Sequence, residues 1–157
     1  MFLAMCAFVA PAAAACADAP APGVDWRRCL ADRRDLRAAD LTGAVLRDAS
    51  LQRADLTGAK LVNIDGQEVR LVSATLKGAD LTGAVLRGSD LSRADFTNAK
   101  MQRADLRRAR MFNVVLRGAD LTGADLTGAD LVGADFTGAT WTDGTRICAA
   151  GSTGACR

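Results

Sequence analysis

The sequence predicts an all-β solenoid, a backbone coil that turns a corner every five residues. From Arg34 to Asp143 one position recurs every five residues. It is large and apolar in 21 of 22 units, from Leu36, Leu41 and Leu46 through to Phe136 and Trp141, with Gly66 the exception. Two residues earlier in each unit stands Ala, in 17 of 22 cases. No ordinary element buries this pattern. On an α-helix five residues advance about 500°, which leaves successive leucines roughly 140° apart and defines no face. On a flat strand the period of two puts successive leucines on opposite sides. A coil that sends one large and one small residue inward from each side does bury them. Gly in the last place of many units suits the corner conformation that most residues resist.

The five-residue period alone does not count the sides. A second period does: residues 41–60 match 81–100 at 14 of 20 positions, and Leu76–Asp80 parallels Leu116–Asp120. The step from position 41 to position 81 is two circuits if each circuit takes four units, and a duplication of that length keeps every face in place.

The units ADLTG at 119–123 and 124–128 resemble the A(D/N)LXX motif of the pentapeptide-repeat family, and the resemblance covers about 70% of the chain. It implies a right-handed quadrilateral parallel β-helix with four units per coil and parallel strands stacked along the axis. Twenty-two units make about 5.5 coils, a rod roughly 26 Å long at ~4.8 Å between strands. Gly66 then sits where a plug belongs. Ile64 and Val69, unusually large for the small inward position, are expected to fill the space, since an unfilled cavity of leucine size costs several kcal/mol.

A solenoid exposes its core at both ends and needs caps. Residues 16–33 are read as an N-terminal cap, helical in part, with Asp25 as its N-cap and Trp26 and Leu30 covering the first coil. Residues 34–143 form the repeat, and 144–157 a capping tail in which the Cys148–Cys156 loop folds over Trp141. This tail resembles the cysteine-containing endings of exported bacterial members of the family.

Residues 1–15 read as a signal peptide: an apolar run, then small residues with Ala13-x-Ala15 as the cleavage signal, although no Lys or Arg precedes the run. The run is too short to span a bilayer, so the mature chain has no transmembrane span. Cleavage before Cys16 leaves Cys16, Cys29, Cys148 and Cys156, an even number that suits two disulfides in an oxidising compartment. Three pairings are open, and the local one, Cys16–Cys29 with Cys148–Cys156, is favoured because cross-pairing must span the array. Lipidation of Cys16 competes with this reading, on a poor lipobox. The chain is therefore expected to be periplasmic or extracellular, with a lipid anchor as the alternative.

The sequence offers no chemistry. It has no His, hence no His-based triad, base or metal ligand. Twelve Asp residues precede the large core residue, but they recur with the repeat and are expected to make turn hydrogen bonds. No catalytic, metal or cofactor residues are assigned. The surface is more informative. Residues 20 apart share a face, so Arg47, Gln67, Arg87, Arg107 and Thr127 form one column, with Arg108 beside it. The adjacent face carries Val72, Ser92, Phe112 and Val132, flanked by Arg53, Arg70, Arg93 and Arg110. A cationic ladder beside an apolar column suits an acidic protein partner or a second copy. The expectation is an exported, non-enzymatic protein-binding scaffold. Some members of the family mimic DNA and bind DNA gyrase. Here the net charge of +2 and the arginines that interrupt the acidic columns argue against that alternative, and against a nucleic-acid partner.

Overall fold

In the computed structural model, which describes residues 17–157, the chain winds as a parallel coil. Every parallel bridge joins residue i to residue i+20, from Asp25↔Val45 to Asp120↔Thr140. A circuit is therefore four of the five-residue units, and the coil has four sides. The expected signal peptide at 1–15, and Cys16 with its expected lipidation or disulfide, lie outside the described residues.

One unit generates all the rest. In the unit around Leu36, its N–H donates to Asp55 O on the next coil at 2.8 Å, and Ala38 N–H to Thr57 O at 2.9 Å. Asp55 N–H returns a bond to Arg34 O at 3.0 Å, and Ala39 N–H closes the turn onto Leu36 O at 3.1 Å. The corner residue has positive φ in every unit, whether glycine, such as Gly43 at 67°, or not, such as Asn63 at 54° and Glu68 at 56°. Corners this frequent leave too little chain between them for extended strands. The coils are joined by single-residue bridges, not by the continuous stacked strands that the family pattern implies.

The shaft is filled as the period requires. Leu41, Leu81, Leu106 and Phe96 are completely buried, with Ala44, Ala84 and Ala109 at the small inward positions. Gly66 leaves no hole. A Cβ placed there meets Leu86 Cδ2 at 3.0 Å and Val69 Cγ1 at 3.3 Å, and Ile64 and Val69 are both buried. The large residues at the small position take up the missing volume, as expected.

The N-terminal end differs from expectation. Residues 25–33 are not a helical cap but further units of the same coil, bridged through Asp25↔Val45 and Leu30↔Ser50. Trp26 is a plug, fully buried, with the Arg34 guanidinium 4.8 Å from its ring centroid. Ala31 takes the next plug position and Cys29 the small inward one. Leu30 therefore precedes a plug and points outward, 75% exposed, so it covers nothing. Cys29 is disulfide-bonded; Cys16, the expected partner, is outside the described residues.

At the other end the tail folds back antiparallel across two sides of the last coil, through Asp135↔Thr153 and Thr140↔Ile147. Phe136 N–H donates to Ser152 O and Gly138 N–H to Cys148 O, both at 2.8 Å, so these edges are satisfied. The Cys148–Cys156 disulfide closes the tail, and Trp141 packs edge-on against Phe136 at 5.1 Å between centroids.

The packing at Gly66 generates a test. Gly66→Leu overfills this layer and should lower stability by about 1–3 kcal/mol. Adding Val69→Ala should recover part of that loss, read as the urea midpoint of the single and double variants.

Candidate interaction face

Outward side chains stand in files because each position i bridges to i+20. Asp at the bridge position accepts a hydrogen bond from the N–H two residues on, as in Thr57 N–H to Asp55 Oδ1 and Thr97 N–H to Asp95 Oδ1, both 3.0 Å. These are Asx turns that brace each side, which is the structural role expected for the repeated aspartates.

A second relation needs the fold to be seen. The residue just after a plug, at position i, lies diagonally beside the bridge residue at i+18 on the next coil. Arg47 pairs with Asp65 at 2.5 Å, Lys77 with Asp95 at 3.2 Å, Arg87 with Asp105 at 2.8 Å, and Arg117 with Asp135 at 2.5 Å. Arg107 joins Asp105 at 2.7 Å and Asp125 at 3.5 Å. The expected cationic ladder of Arg47, Arg87 and Arg107 is thus interleaved with carboxylates and carries little free charge. The shallow depressions lined by Arg27, Arg28, Arg47 and Asp48 and by Arg87, Arg107, Arg108 and Thr127 lie between this paired file and the corner file of Arg28 and Arg108. Hydrogen bonding from Arg107, joined by Arg87, holds the Asp105 carboxyl well below the usual carboxylate range, against the opposing effect of partial burial. Arg37 likewise holds exposed Asp35 down at about 2.

The adjacent face is built differently. Its positions after the plug are Asp32, Gln52, Val72, Ser92, Phe112 and Val132, with no cation to lock a carboxylate. Phe112 is 43% exposed, Val132 63%, and Val72 half-buried. With Leu30, three of the four exposed large hydrophobics among the described residues lie on this one face; Ile147 in the tail is the fourth. On its bridge file, Arg110 reaches Asp90 at 3.3 Å, while Arg70 makes no ion pair among the described residues.

The corners carry Arg53 and Arg93, expected to flank this face, Arg108, expected beside the cationic column, and Arg28, Arg33 and Arg103, which sequence reasoning did not group. Arg28, Arg33, Arg53, Arg93, Arg103 and Arg108 all hold a left-handed corner, with φ between 57 and 59°. That conformation costs a non-glycine residue about 1 kcal/mol. None of the six forms an ion pair among the described residues. All but Arg103 stand on the two corner files that border the face of Phe112, since 28 and 108, and likewise 33, 53 and 93, differ by whole circuits. The signal was in the sequence, as arginine in the place where neighbouring units carry glycine.

Taken together, the molecule is a rigid four-sided repeat solenoid, neutralised on its paired surface and open on one face. The family model described as pentapeptide repeats matches residues 35–65, 74–111 and 104–140, in 8 copies. The chain belongs to the pentapeptide-repeat family. Among solved structures it is similar to the pentapeptide repeat protein Rfr23 from the cyanobacterium Cyanothece 51142. Identity is 31% over 57% of this chain and 54% of that one, with a TM-score of 0.45. It is also similar to HetL, a pentapeptide repeat protein involved in heterocyst differentiation regulation from the cyanobacterium Nostoc sp. strain PCC 7120. Here identity is 31% over 80% of this chain and 64% of that one, with a TM-score of 0.32. A third similarity is to QnrB1, a plasmid-mediated fluoroquinolone resistance protein, at 21% identity over 75% of this chain and 72% of that one, with a TM-score of 0.40. The chain thus spans about half of Rfr23 and just under two thirds of HetL. No curated protein sequence matches it.

The pairing at Asp105 sets an acid dependence. Its carboxyl is depressed in the folded chain, so its contribution is complete above the unfolded value of about 3.9 and is lost as pH falls through the lower folded value. Asp105→Asn should cost about 1 kcal/mol or less at pH 7. The gap to the parent chain should shrink steadily below pH ~4 in urea titrations.

Proposed function

We propose that this chain is an exported, non-enzymatic interaction module, a protein-binding scaffold whose working surface is the face centred on Phe112. In this reading the coil is right-handed, as the family pattern implies, and rigid enough to present side chains at fixed intervals. One observation carries the proposal. Exposed apolar residues (Leu30, Phe112, Val132) and arginines without ion pairs (Arg28, Arg33, Arg53, Arg70, Arg93, Arg108) converge on the same side. The cations beside it are consumed by internal pairing. Exposed apolar area rimmed by polar groups is how binding surfaces differ from solvated ones.

Export is supported by the apolar run at 1–10 and by the Cys148–Cys156 disulfide, a bond that persists in oxidising compartments. A DNA-like surface gains no such support. The file of Asp40, Asp80 and Asp120 is interrupted by Lys60 and Lys100, which lie 3.7 Å from Asp40 and 4.0 Å from Asp80, and in the files without cations Asp65, Asp95, Asp105 and Asp135 are each paired with an Arg or Lys from the preceding coil.

Two measurements test the proposal. A photo-crosslinker at position 112 should capture a protein in the envelope fraction, and one at position 127, on the paired surface, should not; equal capture at both defeats the face assignment. Mass analysis of the purified protein should find a chain shortened before Cys16. A full-length chain confined to the cytoplasm contradicts export.

A further inference from the structure

The bridges Arg70↔Asp90, Asp90↔Arg110 and Arg110↔Asp130 put these four side chains in one straight file, one per coil. Their charges run plus, minus, plus, minus. Read backwards the file is its own complement. Two residues along runs a second file, Val72, Ser92, Phe112 and Val132, with a small residue next to the aromatic one. It too is matched when read backwards: Val72 meets Val132, and Phe112 meets Ser92.

We infer that two copies of this chain associate antiparallel through this face, about a two-fold axis lying between the coil of Asp90 and that of Arg110. The inference rests on the preceding reading of the face as a binding surface and names its occupant. A two-fold perpendicular to the solenoid axis and lying in the contact plane reverses the coil order while keeping each file opposite itself. It sets Arg70 against Asp130 of the second copy and Asp90 against Arg110, and symmetry repeats both pairs. Each Phe112 ring lies over a serine, and the two rings are neighbours across the axis. At the corners Arg108 falls opposite Gly88 and one coil from Glu68, an uncompensated carboxylate among the described residues, while Arg93 falls opposite the uncharged Asn113. A partner of uniform negative charge would meet Asp90 and Asp130 within the contact, whereas a second copy satisfies both signs.

Another alternating file exists, from Asp40 through Lys60, Asp80 and Lys100 to Asp120, on a different side. Its cations reach their own aspartates just as Arg110 reaches Asp90, but beside it run Thr42, Val62, Thr82 and Gln102, with no exposed large hydrophobic among them. Self-complementary charge and exposed apolar area coincide only on the face of Phe112 among the described residues.

An overlap of four coils is small against the ~1,600 Å² of a standard stable complex, so the association is weak and is read by sedimentation equilibrium over a wide concentration range. The full chain should show a monomer–dimer equilibrium. Arg70→Asp alone, or Asp130→Arg alone, brings like charges together twice and should weaken the dimer at least about tenfold. An equimolar mixture of R70D and D130R chains restores opposite signs at both points and should associate like the parent, which also shows that the variants are folded. A photo-crosslinker at 112 should join to the neighbourhood of position 92 in a second copy. A parent chain that stays monomeric throughout, or a mixture no stronger than either variant alone, overturns the inference. Capture by position 112 of a different protein alone overturns self-pairing and leaves the proposed binding face standing. Absence of any capture removes both.

Discussion

The structure depends on one coupling: the residue that plugs the shaft is also the residue whose N–H holds the next coil. Leu86 is fully buried and its N–H bonds to Asp105 O at 2.8 Å; Leu106 is buried and its N–H bonds to Asp125 O at 2.9 Å. Burial of a leucine side chain is worth about 1.5–3 kcal/mol, and the backbone groups beside it have no water to replace a lost partner. Packing and hydrogen bonding therefore cannot be satisfied in different registers. Inserting a single residue would turn a plug outward and break its ladder bond at the same time. The rigid period that results is what places surface residues in straight files, and the face of Phe112 exists only because the shaft is in register from Asp25 to Thr140.

Much of this was legible in the residues themselves. The plug frame, the filling of the Gly66 layer by Ile64 and Val69 and the turn role of the aspartates follow from pattern and volume, and Cys148–Cys156 is the local pairing favoured among the three left open. The first coil was hidden because its units break the motif. Val24-Asp25-Trp26 carries an unusual plug, and Cys29-Leu30-Ala31 puts the large residue one place early. Hydrophobicity then points to Leu30 as the buried residue, whereas the frame, continued backwards, buries Ala31. The neutralisation of Arg47, Arg87 and Arg107 was hidden for another reason. Arg47 and Arg87 find Asp65 and Asp105 most of a circuit further along the chain, and Arg107 adds Asp125 in the same way to its near neighbour Asp105; the distant relation has no meaning until the circuit length is known.

The charges follow a division of labour. Cations after a plug find a carboxylate on the next coil, as Arg47, Arg87 and Arg117 do, and serve the solenoid itself. Cations at the corners are held in a left-handed backbone and project beyond the reach of those carboxylates. An arginine there is less favourable than the glycine used at Gly43, Gly83 or Gly123, and no ion pair within the described chain offsets the difference. Five such arginines border one face. Ala38, Ser73 and Asn113 hold the same left-handed corner, so the strain belongs to the coil itself; what sets these arginines apart is a cation without an ion pair among the described residues.

Every surface statement above rests on positions i and i+20 standing directly above one another. Spin labels at Thr42 and Thr122, on one file away from the face of Phe112 and four circuits apart, measure this directly by pulsed dipolar spectroscopy. Four coils at ~4.8 Å place the two backbones about 19 Å apart, so a single narrow distance distribution near that value is predicted. A distribution centred beyond about 30 Å, or one spread over the whole range, contradicts the circuit length, and the face assignments fail with it.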